Sequence, residues 1–212
     1  MKKILMLGAS HFQVPAIKYA KSAGYHVITA DYLPDNPGHK YSDEYYNVST
    51  IDERKVLELA EKTKIDGIVS YASDPGAPAA AYVAEKLSLP GNPYESVKIL
   101  QRKDLFRKFL KNYGFLVPET AAFRNLKEAK DFAVEKLKQK TIVVKPADSS
   151  GSKGVVKLLT IDDFDFSQAD ACNSRHISRH MAWQFLPGGP YHLPKAFSGA
   201  EVRLHSAPGV PG

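Results

Sequence analysis

Strand-length apolar runs alternate with helix-period segments through the first ninety residues, and few folds accept that order. Lys3-Ile-Leu-Met-Leu7 reads as a parallel strand covered on both faces. Gly8-Ala-Ser10 turns the chain into a helix whose inner face is Phe12, Ala16, Ile17 and Ala20, with Pro15 in the first turn and Gly24 at the end. His26 to Ala30 makes a second strand, followed by Asp31. Ile51 to Thr63 is a helix with Val56, Leu59 and Ala60 inward, Ile65 to Tyr71 a third strand, and Pro78 to Leu87 a third helix. Strands alternating with helices in this way imply a right-handed, doubly wound α/β sheet.

Leu89-Pro-Gly-Asn-Pro93 punctuates the chain and marks a domain boundary. Beyond it the pattern becomes α+β. A helical stretch from Tyr94 to Tyr113 is interrupted near Gln101-Arg-Lys-Asp104, closed by Gly114, and has Phe106, Phe109 and Leu110 inward. Thr120 to Phe123 reads as a strand and Leu126 to Leu137 as a helix. Then come a β-branched run ending on Lys145, a Ser/Gly loop, and a returning strand from Val155 to Leu159.

That hairpin suits a phosphate. Lys145 stands as a cation at the end of a rigid strand, and a lysine within an apolar run seldom lacks a charged partner. Gly151 and Gly154 let backbone N–H groups approach an anion, while Ser149, Ser150, Ser152 and Lys153 add donors and charge. The loop joins two strands and lacks the G-x-x-x-x-G-K-[ST] spacing, so it is not a Walker loop.

Val-Val-Lys-Pro-Ala-Asp-Ser-Ser-Gly-Ser-Lys-Gly-Val155 closely resembles the phosphate-binding hairpin of the ATP-grasp superfamily, which includes carbamoyl phosphate synthetase, biotin carboxylase and the purine-pathway ligases. The carbamoyl-phosphate-synthetase-like branch is the nearest match, because of this loop and the Arg-Lys-Asp helix entry. The resemblance implies a Rossmann-like pre-ATP-grasp domain over residues 1–90 and a partial ATP-grasp domain over 91–212. In the latter, the small α+β lobe would occupy about 115–165, and the hinge and start of the large lobe about 182–204. In this family a basic residue eleven positions before the helix-ending glycine reaches the nucleotide phosphates; counting from Gly114 gives Lys103. Lys103 and Lys145 would then converge on one triphosphate, the 149–154 loop would close over it, and Gln184 and Leu186 would offer backbone groups to adenine. Phe185 would be core. The first domain would face the acceptor through Gly8, Ser10, Asp31, Tyr71, Ser73 and Asp74, each of which also reads as a cap or turn residue.

The resemblance weakens after about residue 166. Four of the seven histidines fall after Gln168, where carboxylates thin to Asp170 and Glu201. Ala182-Trp-Gln-Phe-Leu-Pro-Gly-Gly-Pro-Tyr191 stands where the family has its hinge strand, with Trp183 where an acid is frequent, and Glu201-Val-Arg-Leu204 resembles the next hairpin. No Glu-x-Asn strand follows to hold Mg²⁺ on the triphosphate, so the large lobe is expected to be mostly missing, through a shortened or altered reading frame. Such a lobe would expose apolar surface and favour a homo-oligomer. His176 and His180, with Cys172 four residues earlier, have no third ligand near and read as exposed polar residues rather than a metal site.

Composition narrows the classes further. Net charge is +6, but basic residues are interleaved with acids along helical faces, which argues against nucleic-acid binding. No apolar run approaches a membrane span, the N-terminus has no signal-peptide pattern, and a single cysteine suits a cytoplasmic protein without disulfides. The expected function is ATP binding. A complete member would be a carboxylate–amine ligase or carbamoyl-phosphate-synthetase-like enzyme that forms an acyl phosphate from Mg-ATP and a small carboxylate or bicarbonate. Two alternatives remain. One is a non-catalytic nucleotide-binding or interaction module. The other is an NAD(P)-binding oxidoreductase, although the G-x-G-x-x-G spacing is absent.

Overall fold

A computed structural model describes residues 1–123, 126–138, 142–148, 155–158 and 160, and the backbone of 181–185. Four parallel strands form the first sheet: β1 (Lys3–Leu7), β2 (His26–Asp31), β3 (Glu44–Asn47) and β4 (Gly67–Val69), in the order β3-β2-β1-β4. Their register sets Leu5 beside Ile28 and Ile68, and Thr29 beside Tyr45. Side chains alternate across the sheet, so β1 feeds two cores. Met6 packs with Ile17, Ala20 and Val27 under α1 (Val14–Ser22). Leu5 and Leu7 pack with Ile28, Ala30, Val56 and Val83 under α2 (Glu53–Thr63) and α3 (Ala77–Lys86). The doubly wound α/β expectation is met.

Three details differ from the pattern reading. β3 lies between the second strand and the next helix, so the run expected as the third strand is β4 and is shortened to three residues. Phe12 precedes α1 and is 74% exposed, because the helix begins only at Val14. Phe109 is on the outer side of its helix at 39% exposure, while Phe106 and Leu110 are half-buried. Among the described residues, no helix is long and apolar enough to cross a membrane.

The helical stretch after the boundary divides into α4 (Tyr94–Gln101) and α5 (Lys103–Asn112). The break is at Arg102, whose extended backbone (φ −87°, ψ 113°) cannot continue a helix. Gly114 at φ +79° closes α5. The second sheet is antiparallel, in the order β5-β8-β6-β7, from β5 (Thr120–Phe123), β6 (Ile142–Pro146), β7 (Val156–Leu158) and β8 (Met181–Phe185). Ile142, Val144 and Leu158 bury against Ala129 and Ala133 of α6 (Leu126–Leu137), and Phe132 meets Phe123 at 5.1 Å between ring centroids. With Ile142 and Val144 committed to α6, the two-residue period turns Val143 and Lys145 to the opposite face.

Candidate nucleotide-phosphate site

Lys145 therefore emerges from β6 on the side away from α6, near the start of α5. The first N–H groups of a helix have no partner within it. At α5 the Lys103 N–H is satisfied from outside, donating to the Ala147 carbonyl at 2.9 Å. This bond fixes the helix start against the residues that follow β6 and sets Lys103 beside Lys145. Arg102 grips Asp104 through two bonds, Nε to Oδ1 at 3.0 Å and Nη2 to Oδ2 at 2.6 Å. Burial pushes the Asp104 carboxyl up, but the Arg102 fork and backbone N–H bonds outweigh it and hold the group below its ordinary value. A carboxylate in the first turn also suits the helix dipole.

Charge concentrates where the two elements meet. Burial pushes the Lys145 ammonium below the ordinary lysine value, and the positive charges of Arg107 and Lys103 push it further. Burial lowers Lys103 as well, opposed by the carboxylates of Asp148 and Asp74. Oδ1 of Asp148 is buried without a hydrogen-bond partner among the described residues. Three cations thus share one small region with the carboxylates of Asp148 and Asp74, a net positive cluster that suits an anion. Arg107 was not evident from motif spacing. Its only sequence signal is its position one helical turn after Lys103, which shares a face with it.

The carboxyl ends of β1, β2 and β4 carry the acceptor-side candidates, and hydrogen bonds stitch their loops together. Gly8 takes φ +92° and donates its N–H to Ala30 O at 2.8 Å. Asp31 accepts from Ala9 N–H at 2.9 Å, Leu33 N–H at 3.0 Å and Asn36 Nδ2 at 2.8 Å. Ser10 gives both its N–H (3.0 Å) and its hydroxyl (2.6 Å) to Gln13 Oε1, and buried Gln13 donates onward to Tyr71 O at 2.8 Å. The Ser73 carbonyl accepts from Ser70 Oγ at 2.8 Å, and the Asp74 carbonyl from Gln101 Nε2 at 3.3 Å. Ser10 and Asp31 are braces in this arrangement. Gln13, which no motif singled out, joins the first loop to the third.

Asp74 connects the two halves, lying in the β4 loop while its charge acts on Lys103. Ser149, Ser150, Gly151, Ser152, Lys153, Gly154 and Leu186 fall outside the described residues, as do Cys172, His176, His180 and the segment Glu201 to Leu204. Gln184 lies in β8, in register with Thr120 and Val143, and the side chains of Trp183, Gln184 and Phe185 are likewise not described. The described residues contain no group of three or more His, Cys, Asp or Glu able to hold a metal ion. An apolar groove of about 520 Å³ between α1 and β4 is lined by Met6, Pro15, Tyr19, Val69 and Tyr71.

No family model matches the chain. It is 30% identical over 143 residues to a carbamoyl phosphate synthase large chain of Pseudothermotoga lettingae, covering 60% of this chain and 13% of that protein. The match to the Methanosarcina acetivorans large chain is 25% over 175 residues, covering 73% of this chain and 16% of that one. In fold it resembles N5-carboxyaminoimidazole synthetase from Staphylococcus aureus in complex with ADP (TM-score 0.64, 20% identity, 86% of this chain and 47% of that one). It also resembles the biotin carboxylase domain of Hydrogenobacter thermophilus 2-oxoglutarate carboxylase, solved with MgADP and bicarbonate (TM-score 0.63, 14% identity, 86% and 44%). The chain spans under half the length of these solved structures and a smaller share of the curated relatives.

Proposed function

We propose that this chain, which resembles the ATP-grasp superfamily in sequence and fold, binds the triphosphate of ATP between Lys103 on α5 and Lys145 on β6. The observation that carries the reading is their convergence. The Lys103 N–H to Ala147 O bond holds the two elements together, and the charges of Arg107 and Lys103 lower the proton affinity of Lys145. A phosphate relieves that repulsion as it binds. Lys145 is fixed by the strand and Lys103 by the first turn of the helix, so both act as point charges needing little rearrangement. Arg107 adds a third charge from the same face.

The reaction expected of the whole protein is an ATP-dependent carboxylate–amine ligation of the carbamoyl-phosphate-synthetase type. A carboxylate or bicarbonate oxygen attacks the γ-phosphorus, ADP leaves, and an amine displaces phosphate from the acyl phosphate. In that reaction Lys103, Arg107 and Lys145 neutralise phosphate charge, the 149–154 loop closes over it, and the strand ends of the first sheet face the acceptor. Bound Mg²⁺ would neutralise the remaining triphosphate charge; the described residues offer no cage of three or more His, Cys, Asp or Glu for it. A protein of this kind is expected in the cytoplasm. The NAD(P) alternative has little support, because the β1–α1 amides that would hold a pyrophosphate donate to Asp31 and Gln13 instead.

Calorimetry with MgATP on the chain and on Lys145→Ala tests the reading. Binding that weakens at least tenfold in the variant supports it. Binding unaffected by the substitution would remove Lys145 from the site.

A further inference from the structure

The three acceptor-side loops have a chemistry of their own. Residues 8–13, 31–36 and 70–76 contain three carboxylates (Asp31, Asp35 and Asp74), one histidine (His11) and no lysine or arginine. The backbone donors of the first two loops are largely committed within the loops. Ala9 N–H serves Asp31, Ser10 N–H serves Gln13, Phe12 N–H donates to Ser10 Oγ at 3.3 Å, and Gln13 N–H to Ser10 O at 3.0 Å. Past β2, Leu33 N–H and the Asn36 amide are held by Asp31. A phosphate ester is best held by lysine or arginine and by free N–H groups in number; this rim has no lysine or arginine, and most donors of its first two loops are already engaged.

It supplies apolar surface instead. Phe12 is 74% exposed, Tyr32 61%, Leu33 46% and Tyr71 48%, each on a loop at the carboxyl end of β1, β2 or β4. Those strands are neighbours in the sheet, and Gln13 ties the Phe12 loop to Tyr71. In an open parallel sheet this end is where ligands sit. The rim also adjoins the cation cluster, since Gln101, two residues before Lys103, donates to the carbonyl of Asp74.

We infer that the acceptor carries an apolar or aromatic body without a phosphate ester, seated on Phe12, Tyr32, Leu33 and Tyr71 with its reacting carboxylate toward Lys103 and Lys145. This deepens the proposed function and rests on it for the direction of the carboxylate. Aromatic side chains provide area and ring stacking at little conformational cost, and the carboxylates of Asp35 and Asp74 would tolerate an amino group on the ligand but repel a second anion.

Saturation-transfer NMR on the intact chain with two probes, 3-phenylpropionate and ribose 5-phosphate, tests the inference. Both probes are applied to wild type and to the Phe12→Ser, Tyr71→Ser double variant, whose substituted residues are 74% and 48% exposed; an unchanged melting temperature checks that the variant is folded. The expected result is transfer to the ring protons of 3-phenylpropionate, at least threefold weaker in the variant, and no displacement by ribose 5-phosphate. Equal transfer in wild type and variant, absence of transfer, or displacement by ribose 5-phosphate would overturn the inference. MgATP calorimetry on the same wild-type sample reads the nucleotide site separately, so failure of the rim and failure of the ATP reading are distinct results.

Discussion

The backbone N–H of Lys103 donates to the carbonyl of Ala147 at 2.9 Å, joining the start of α5 to the residue that follows β6. The bond uses no side chain, so the lysines at 103 and 145 are brought together by the main chain. Burial lowers the proton affinity of both, and the charges of Arg107 and Lys103 lower that of Lys145 further.

Lowered lysine pKa values have a thermodynamic sign. In the free protein the unfolded chain holds these protons to higher pH than the folded one, so the two lysines make stability rise with pH in the window just below the ordinary value of 10.5. A bound triphosphate restores the protonated form. Nucleotide binding in that same window is therefore expected to take up protons. Calorimetric enthalpies should vary with the ionisation enthalpy of the buffer there, and less so as the pH is lowered.

Arg107 should matter to phosphate without touching the nucleoside. Inorganic tripolyphosphate is expected to raise the melting temperature of the wild type. Ligand at a hundred times its Kd corresponds to about 2.7 kcal/mol of stabilisation. Arg107→Ala should reduce the shift at equal ligand concentration, and added salt should reduce it in both proteins.

Much of this fold is legible in the sequence. β1 reads as a strand from its apolar run and β2 from its β-branched residues, β5 and α6 have the expected bounds, and the helix break falls at Arg102. What escaped reading depends on contacts distant in sequence. β3, Glu-Tyr-Tyr-Asn47, has no apolar run and becomes a strand because β2 offers it a ladder, with Thr29 opposite Tyr45. Gln13 looks like any polar residue at a helix start until the β4 loop meets it. Arg107 gains meaning only when β6 brings Lys145 against its helix. Conversely, Phe12 matched a helical period yet lies before the helix and in solvent.

Asp31 was an acceptor-side candidate and proves to be the brace of two loops. Asp31→Ala leaves the N–H groups of Ala9 and Leu33 and the Asn36 amide without their acceptor. The expected loss is about 2–3 kcal/mol, the range for unmade bonds to a charged group. Urea unfolding should show a lower midpoint with an unchanged slope.

Gly38 is a close-approach position. A Cβ there would lie 2.6 Å from the Ala9 carbonyl oxygen and 2.7 Å from Ile17 Cδ1, while the Gly38 N–H bonds that same carbonyl at 2.7 Å. Gly38→Ala should destabilise by roughly 1–3 kcal/mol, as overpacking does, and thermal unfolding would report it.

The convergence of Lys103 and Lys145 on one triphosphate is tested most directly by a double-mutant cycle in MgATP binding. Each lysine replaced singly by alanine should cost about 2–3 kcal/mol, a roughly 30- to 150-fold loss of affinity. The double variant should depart from the sum by about 0.5 kcal/mol or more, as groups sharing one ligand do. Losses that add within about 0.3 kcal/mol, or a single replacement that leaves affinity unchanged, would contradict a shared phosphate site.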